Sequence, residues 1–336
     1  MTQPADSLLR RSRLPRFEAR DVAPLVSLAI LVVFFTVATR FGFLKLITVE
    51  QVLKQGAVLG IVSVGLTFVL LCGEIDLAVG MLALWTAAFC GWSFQRFVLV
   101  GGESAGGVLL VILIPLSSSL LLGLVSGTLT VWARLPSFII TLAMMNIAEG
   151  AARFLTQSET FPVPEVLKTL GNRGFDLTDR FTLPYGAVLA VGVFAVGHVV
   201  LQHTRFGRYV YMTGANREAA RLAGVRTGLI VVACLAISAC TAGLGGLVNA
   251  GRLTSISQDQ NRDLLLSAVA CVVLGGTSLF GGEGGIGKTV IGVLTFTVLN
   301  VGLVQIDWID DLARQLLMGL VLLTALVVNG LLAKGR

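Results

Sequence analysis

Apolar residues in this 336-residue chain are gathered into long runs, separated by short clusters of charge, glycine pairs and prolines. About 20 apolar residues in a helix cross the hydrocarbon of a bilayer. Cutting at the interruptions yields ten candidate spans, at 24–43, 55–72, 77–95, 108–132, 137–156, 184–201, 228–250, 264–280, 287–305 and 313–333. Gly73 and Pro136 interrupt helices, and 202–226 is too charged to lie in hydrocarbon. The pattern predicts an all-α, polytopic membrane protein of about ten transmembrane helices. Composition agrees: 13% of residues are charged, against about 25% in soluble domains, and the mean hydropathy is +0.88. An ordinary cytosolic enzyme is excluded.

Residues 1–23 form a basic segment with Arg10, Arg11, Arg13, Arg16 and Arg20, and 24–336 read as one transmembrane domain. The arginines before an apolar run imitate the start of a signal peptide. No small-residue cleavage pattern follows, however, and Arg40 and Phe41 end the run, so the segment reads as a cytoplasmic anchor. His198 and His203 have no carboxylate or cysteine at metal-ligand spacing, and no metal site is expected. The five cysteines lie inside apolar runs without CxxC spacing and read as small buried hydrophobes. The basic charge accompanies no nucleic-acid-binding signature, and no nucleic-acid partner is expected.

With the N-terminus inside, ten spans return the C-terminus to the same side. That arrangement leaves 14 of the 25 Lys and Arg residues inside, with a net charge of +7 there and −1 outside. The asymmetry favours both termini in the cytoplasm. Two long loops result: an outer one at 157–183, carrying Pro162 and Pro164, and a basic inner one at 202–227. Either is a docking face for a partner.

Several stretches carry chemistry. Glu74 and Asp76 lie between two apolar runs, flanked by Gly73 and Gly80. A charge at a helix centre costs roughly 2.5–3.5 kcal/mol, so the pair reads either as a broken, re-entrant segment lining a polar pathway or as a short solvated loop. The spacing Gly73, Leu77, Gly80 recurs as Gly275, Leu279, Gly282, suggesting two related halves, although glycine is abundant at 39 residues. Gly282 to Thr289 matches the phosphate-loop pattern G-x-x-x-x-G-K-T, but a nucleotide loop follows a β-strand in a soluble sheet, and here apolar runs flank it. It reads as a flexible inner turn. Asn146, Glu149 and Arg153 fall on one helical face, where Glu149 and Arg153 can pair. Asn249 and Asn300 are further polar groups in apolar runs, suited to interhelical hydrogen bonds or a polar solute. The pairs Gly56 with Gly60 and Gly123 with Gly127 allow close helix contact. In the inner loop, Glu218, Ala219, Ala220 and Gly224 form an E-A-A-x-x-x-G pattern, a short helix ending on a glycine cap.

Three of these stretches together resemble the permease subunits of bacterial ABC importers for monosaccharides, of the ribose, xylose and autoinducer-2 type. Residues 73–80 look like that family's G-G-I-D-L-S-V-G. Thr204 to Gly224 is similar to its T-x-x-G-R-x-x-Y-A-x-G-G-N-x-x-A-A-x-x-x-G, and 272–282 supply its V-V-L-G-G-T-S-L-F-G-G. Departures are Glu74 and Lys288 at usual glycines, Ala78 at a usual serine and Ala215 at a usual glycine. The resemblance implies an inner-membrane permease that works with a second permease copy or homologue, two ATP-binding subunits or a fused ATPase, and a periplasmic sugar-binding protein. ATP and Mg would be bound by the ATPase, with no cofactor and no catalysis in this chain. Gly207, Arg208, Gly214, Asn216, Glu218, Ala219, Ala220 and Gly224 would form the element that couples to the ATPase. Glu74, Asp76, Asn146, Glu149 and Asn300 are the candidate translocation-pathway residues. Competing readings are an importer for branched-chain amino acids or nucleosides, a proton-coupled carrier using Glu74, Asp76 and Glu149, and a stand-alone ATPase using 282–289.

Overall fold

A computed structural model describes residues 19–334 except 100, 101, 103, 158, 179, 180, 258, 259 and 307–309; most of the basic N-terminal segment lies outside the described residues. Helix α1 (Ala19–Ala38) leads through a turn to α2 (Leu46–Leu71). Next come α3 (Val79–Ser93), extended by a π-helical turn at Phe94–Val98, then α4 (Ala105–Ala133) and α5 (Ser137–Thr156). The segment 157–183 is structured: β1 (Phe161–Pro162), α6 (Glu165–Asn172), β2 (Gly174–Thr178) and the start of β3 (Phe181–Pro184) lie in it. Helix α7 (Tyr185–His203) is followed by the short helices α8 (Arg205–Ala215) and α9 (Arg217–Leu222). Then come α10 (Thr227–Leu253), β4 (Ser255–Ile256), α11 (Leu264–Leu274), α12 (Ile286–Val304) and α13 (Asp311–Lys334). β1 pairs antiparallel with β4, and β2 with β3.

All ten expected spans overlap helices, and among the described residues six helices are long and apolar enough to cross a membrane: α2, α4, α5, α7, α10 and α12. Two expectations need correction. The helix expected over 264–280 stops at Leu274, and eleven residues rise only about 16 Å. The rest is a turn in which Gly276, Gly281, Gly282 and Gly284 take left-handed φ. Helix α2 begins at Leu46 rather than 55, because Glu50 and Lys54 pair one turn apart at 2.8 Å. Their mutual neutralisation lets the helix run through charges that look like a boundary in the sequence.

Burial sorts the helices into centre and periphery. Of the apolar window, 72% is buried in α2, 67% in α12 and 61% in α10, against 22% in α4 and α5. Helix α10 packs on α2, α3 and α4, and α12 on α2 and α11. Small residues make the close approaches. A Cβ on Gly123 would stand 2.8 Å from the Leu235 carbonyl oxygen, and one on Gly127 2.7 Å from the Val232 Cα, so the α4 glycine pair seats α4 directly on α10. Gly60 of the other pair instead makes room for the Phe194 ring of α7. Four of the five cysteines are buried, and all are reduced.

Candidate functional site

Helices α8 and α9 form where the sequence supplies caps. The Thr204 hydroxyl accepts from the Gly207 amide at 3.2 Å, and the Asn216 side chain accepts from the Ala219 amide at 2.9 Å. Gly224 ends α9 at φ +84°, the left-handed cap expected of it. Val210 and Ala220 turn into an apolar cluster with Val69, Leu201, Val225 and Val231. Gly207 is buried too, whereas Arg208, Asn216, Glu218, Ala219 and Gly224 are exposed.

This double helix is clasped to two glycine-rich tips, the turn after α2 and the turn after α11. A Cβ on Gly214 would collide with the Leu71 carbonyl oxygen and stand 2.8 Å from the Gly282 nitrogen. The Gly282 amide itself donates to the Leu71 carbonyl at 3.0 Å. Tyr211 donates its hydroxyl to the Gly284 carbonyl at 3.0 Å and accepts from Gln202 Nε2 at 3.2 Å. Phe206 stacks on Phe68 of α2. Glu74, whose side chain is 8% exposed, forms an ion pair with the half-exposed Arg217 of α9. Beside the pair opens a cavity of about 480 Å³ lined by Glu74, Arg134, Arg217, Arg221, Pro136 and Thr227, among others. The two tips with related glycine spacing therefore meet at one end of the molecule, against one element.

Asp76 is buried beneath the first tip. Its carboxylate accepts from Ser238 Oγ of α10 at 2.7 Å and from the Ala78 amide at 2.9 Å, which holds the start of α3 to α10. The Ile75 and Leu77 amides donate to Ser137 Oγ and Thr141 Oγ1 of α5, each at 3.0 Å. The segment 73–78 is thus a helix break in which side chains from neighbouring helices satisfy the freed backbone groups.

The remaining pathway candidates lie elsewhere. Asn146 is exposed on α5 and donates to its own Leu142 carbonyl at 2.9 Å. One turn further along, Glu149 pairs with Arg153 at 2.8 Å. Asn300, on α12, contacts Met318 Sδ at 3.7 Å. Glu74, Asp76 and Glu149 each have a different partner, so they form no shared relay. Asn249 donates to Asn261 Oδ1 at 2.9 Å, a bond from α10 to the connection before α11 rather than the interhelical bond expected of it. The phosphate-loop match is spent on packing: it follows a helix, its first amide is bonded to Leu71, and the buried Thr289 hydroxyl lies 2.7 Å from Thr67 Oγ1.

A bundle of apolar helices whose polar turns are gathered under two short surface helices defines a polytopic membrane protein. Residues 48–326 match the family described as branched-chain amino acid transport system / permease component, and the chain belongs to that family. It is similar to the fructose import permease of Rhizobium meliloti, 30% identical over 91% of this chain and 84% of that one. The ribose import permease of Bacillus subtilis (strain 168) is 31% identical over 92% of each chain. The autoinducer 2 import permease of Photorhabdus luminescens is 30% identical over 93% of this chain and 90% of that one. No solved structure matches the chain.

Proposed function

We propose that this chain is the inner-membrane subunit of an ATP-driven importer for a monosaccharide or related polyol, with both termini cytoplasmic. It would act with a second permease copy or homologue, two ATP-binding subunits or a fused ATPase, and a periplasmic sugar-binding protein. The names of the relatives, fructose and ribose import permeases, support the substrate class. The clasp of α8 and α9 on both glycine tips carries the mechanism. A force applied to the exposed Glu218–Ala219 face reaches α2 and α11 directly, through Leu71, Gly214, Gly282 and the Glu74–Arg217 pair. Partner ATPases closing on ATP would deliver that force, and the helices would alternate between openings; this chain does no covalent chemistry.

The polar stripe of α5 supports a pathway between two copies. Asn146, Glu149 and Arg153 lie on a helix with only 22% of its apolar window buried, and charged or amide groups are costly against lipid. Facing a water-filled path or a second permease removes that cost. The family's description favours a second reading, import of branched-chain amino acids. Uptake by the importer reconstituted in vesicles discriminates them: labelled ribose or fructose should accumulate in an ATP-dependent way, and unlabelled leucine should not compete. In the same vesicles Gly224→Trp and Glu218→Arg should keep the protein inserted while lowering transport per ATP hydrolysed. Normal transport in both variants removes the coupling role.

A further inference from the structure

At the end of the bundle away from α8 and α9, where α10 finishes and α11 starts, a cavity of about 220 Å³ is lined mostly by polar side chains, with Val58, Leu59 and Leu264 among them. Gln55 comes from α2, Arg252 from α10, Gln260 and Asp263 from the connection to α11, Ser267 from α11 and Asn300 from α12. We infer that this cavity is a subsite for the polyhydroxylated solute, contacted within this chain before it moves toward the tips. The inference rests on the sugar-import reading above.

The cavity carries uncommitted hydrogen-bonding groups. Between apolar helices, polar side chains normally find one another. Some here do: Arg252 Nε donates to Asn249 Oδ1 at 3.2 Å, Asn249 donates to Asn261, and Gln260 Nε2 donates to the Ser255 carbonyl at 2.9 Å. These bonds hold the Arg252 and Gln260 side chains in place. The side chains of Gln55, Asp263 and Ser267 make no hydrogen bond or ion pair among the described residues, and Gln260 Oε1 is enclosed without a partner. Asp263 is exposed and Gln55 and Ser267 are half-buried, whereas the enclosed, unmet Gln260 acceptor costs about 1–3 kcal/mol, which a ligand hydroxyl donating to it would relieve.

The donors and acceptors identify that ligand. A sugar hydroxyl both donates and accepts. A carboxylate such as Asp263 accepts hydrogen bonds from neighbouring hydroxyls, while guanidinium and amide groups such as Arg252, Gln55 and Asn300 donate to their oxygens. The isobutyl group of leucine would need apolar lining, and Val58, Leu59 and Leu264 are the apolar residues present. Seven of the ten lining residues are polar, a proportion that suits a polyhydroxylated solute better than an isobutyl side chain.

Ser267→Cys places a thiol in the cavity with little change in volume. In the complete reconstituted importer, millimolar ribose or fructose should slow its reaction with a polar thiol reagent at least threefold. Leucine at the same concentration should not. Adding Asp263→Ala should abolish the protection. Sugar uptake by the wild-type importer, combined with no protection by any monosaccharide or equal protection by leucine, overturns the subsite and leaves the import reading standing. A wild-type importer that accumulates leucine and no sugar overturns both.

Discussion

Among the described residues, the Glu74–Arg217 pair is the one ionic link between the tip of α2 and the surface double helix, and its strength can be worked from exposure. Removing one partner of a fully buried pair costs roughly 3–5 kcal/mol, while exposed pairs contribute roughly 0–1. Glu74 is 8% exposed and Arg217 50%, so the pair belongs between these limits. Arg217→Ala leaves an enclosed carboxylate without its ion-pair partner and should cost about 2 kcal/mol. Glu74→Gln keeps the shape, removes the charge and should cost about 1 kcal/mol. In the double variant no charge is stranded, so the combined loss should fall short of the sum by about 1 kcal/mol. Equilibrium unfolding in mixed micelles, run on all four proteins, measures this coupling. Strict additivity, within about 0.4 kcal/mol, would refute the claim that the bridge ties α9 to α2. Restoration by the swap Glu74→Arg with Arg217→Glu gives an independent check.

Gly214→Ala should destabilise by about 1–3 kcal/mol, because its Cβ meets the Leu71 backbone rather than a movable side chain. Gly224→Ala, with open space around it, should cost only the left-handed strain of about 1 kcal/mol; equal losses in the same unfolding assay would contradict the packing described. Asp76→Ala orphans both the Ser238 hydroxyl and the Ala78 amide and should cost about 2–4 kcal/mol. Ser238→Ala should cost less, and wild-type stability in Asp76→Ala would dismiss its structural role. Burial raises the Tyr211 phenol above its ordinary value of 10.0. Its bond to Gly284 is therefore fully present below that pH and is lost only as pH rises through the higher folded-state value. Tyr211→Phe should lower stability by about 1 kcal/mol at neutral pH, with the difference from wild type shrinking only at strongly alkaline pH.

Much of the fold was legible because hydrophobic run length alone dictates helices in a bilayer, and every expected span overlaps a helix. Boundaries were missed where pairing disguised a charge, as at Glu50 and Lys54, or where glycine ended a helix within an apolar run, as at Gly275. The α9 cap at Gly224 and the Glu149–Arg153 pair are local, and periodicity sufficed for both. The clasp is not local: Leu71, Gly214 and Gly282 belong to three separate segments, and no spacing rule brings them together. The polar cavity escaped for the same reason. Gln55, Arg252, Asp263 and Ser267 each look like an isolated polar residue at the edge of an apolar run, and only Asn300 among its lining was a pathway candidate. The one sequence signal was Asn249 and Arg252, three apart on the same helix face.

Helix α10 touches both special regions of the molecule. Thr227 and Gly228 at its beginning line the arginine-rich cavity, and Asn249 and Arg252 near its end line the polar one. Its 27 residues make a rod about 40 Å long, continuous between the two cavities. A beam of that length pivoting by about 5° about its middle moves each end by roughly 2 Å, in opposite directions. Such a pivot would tighten one mouth as it loosened the other, over a distance set by the length of the rod. Shortening or kinking it, for instance with a proline at Cys240, would leave both cavities in place and mechanically deaf to each other.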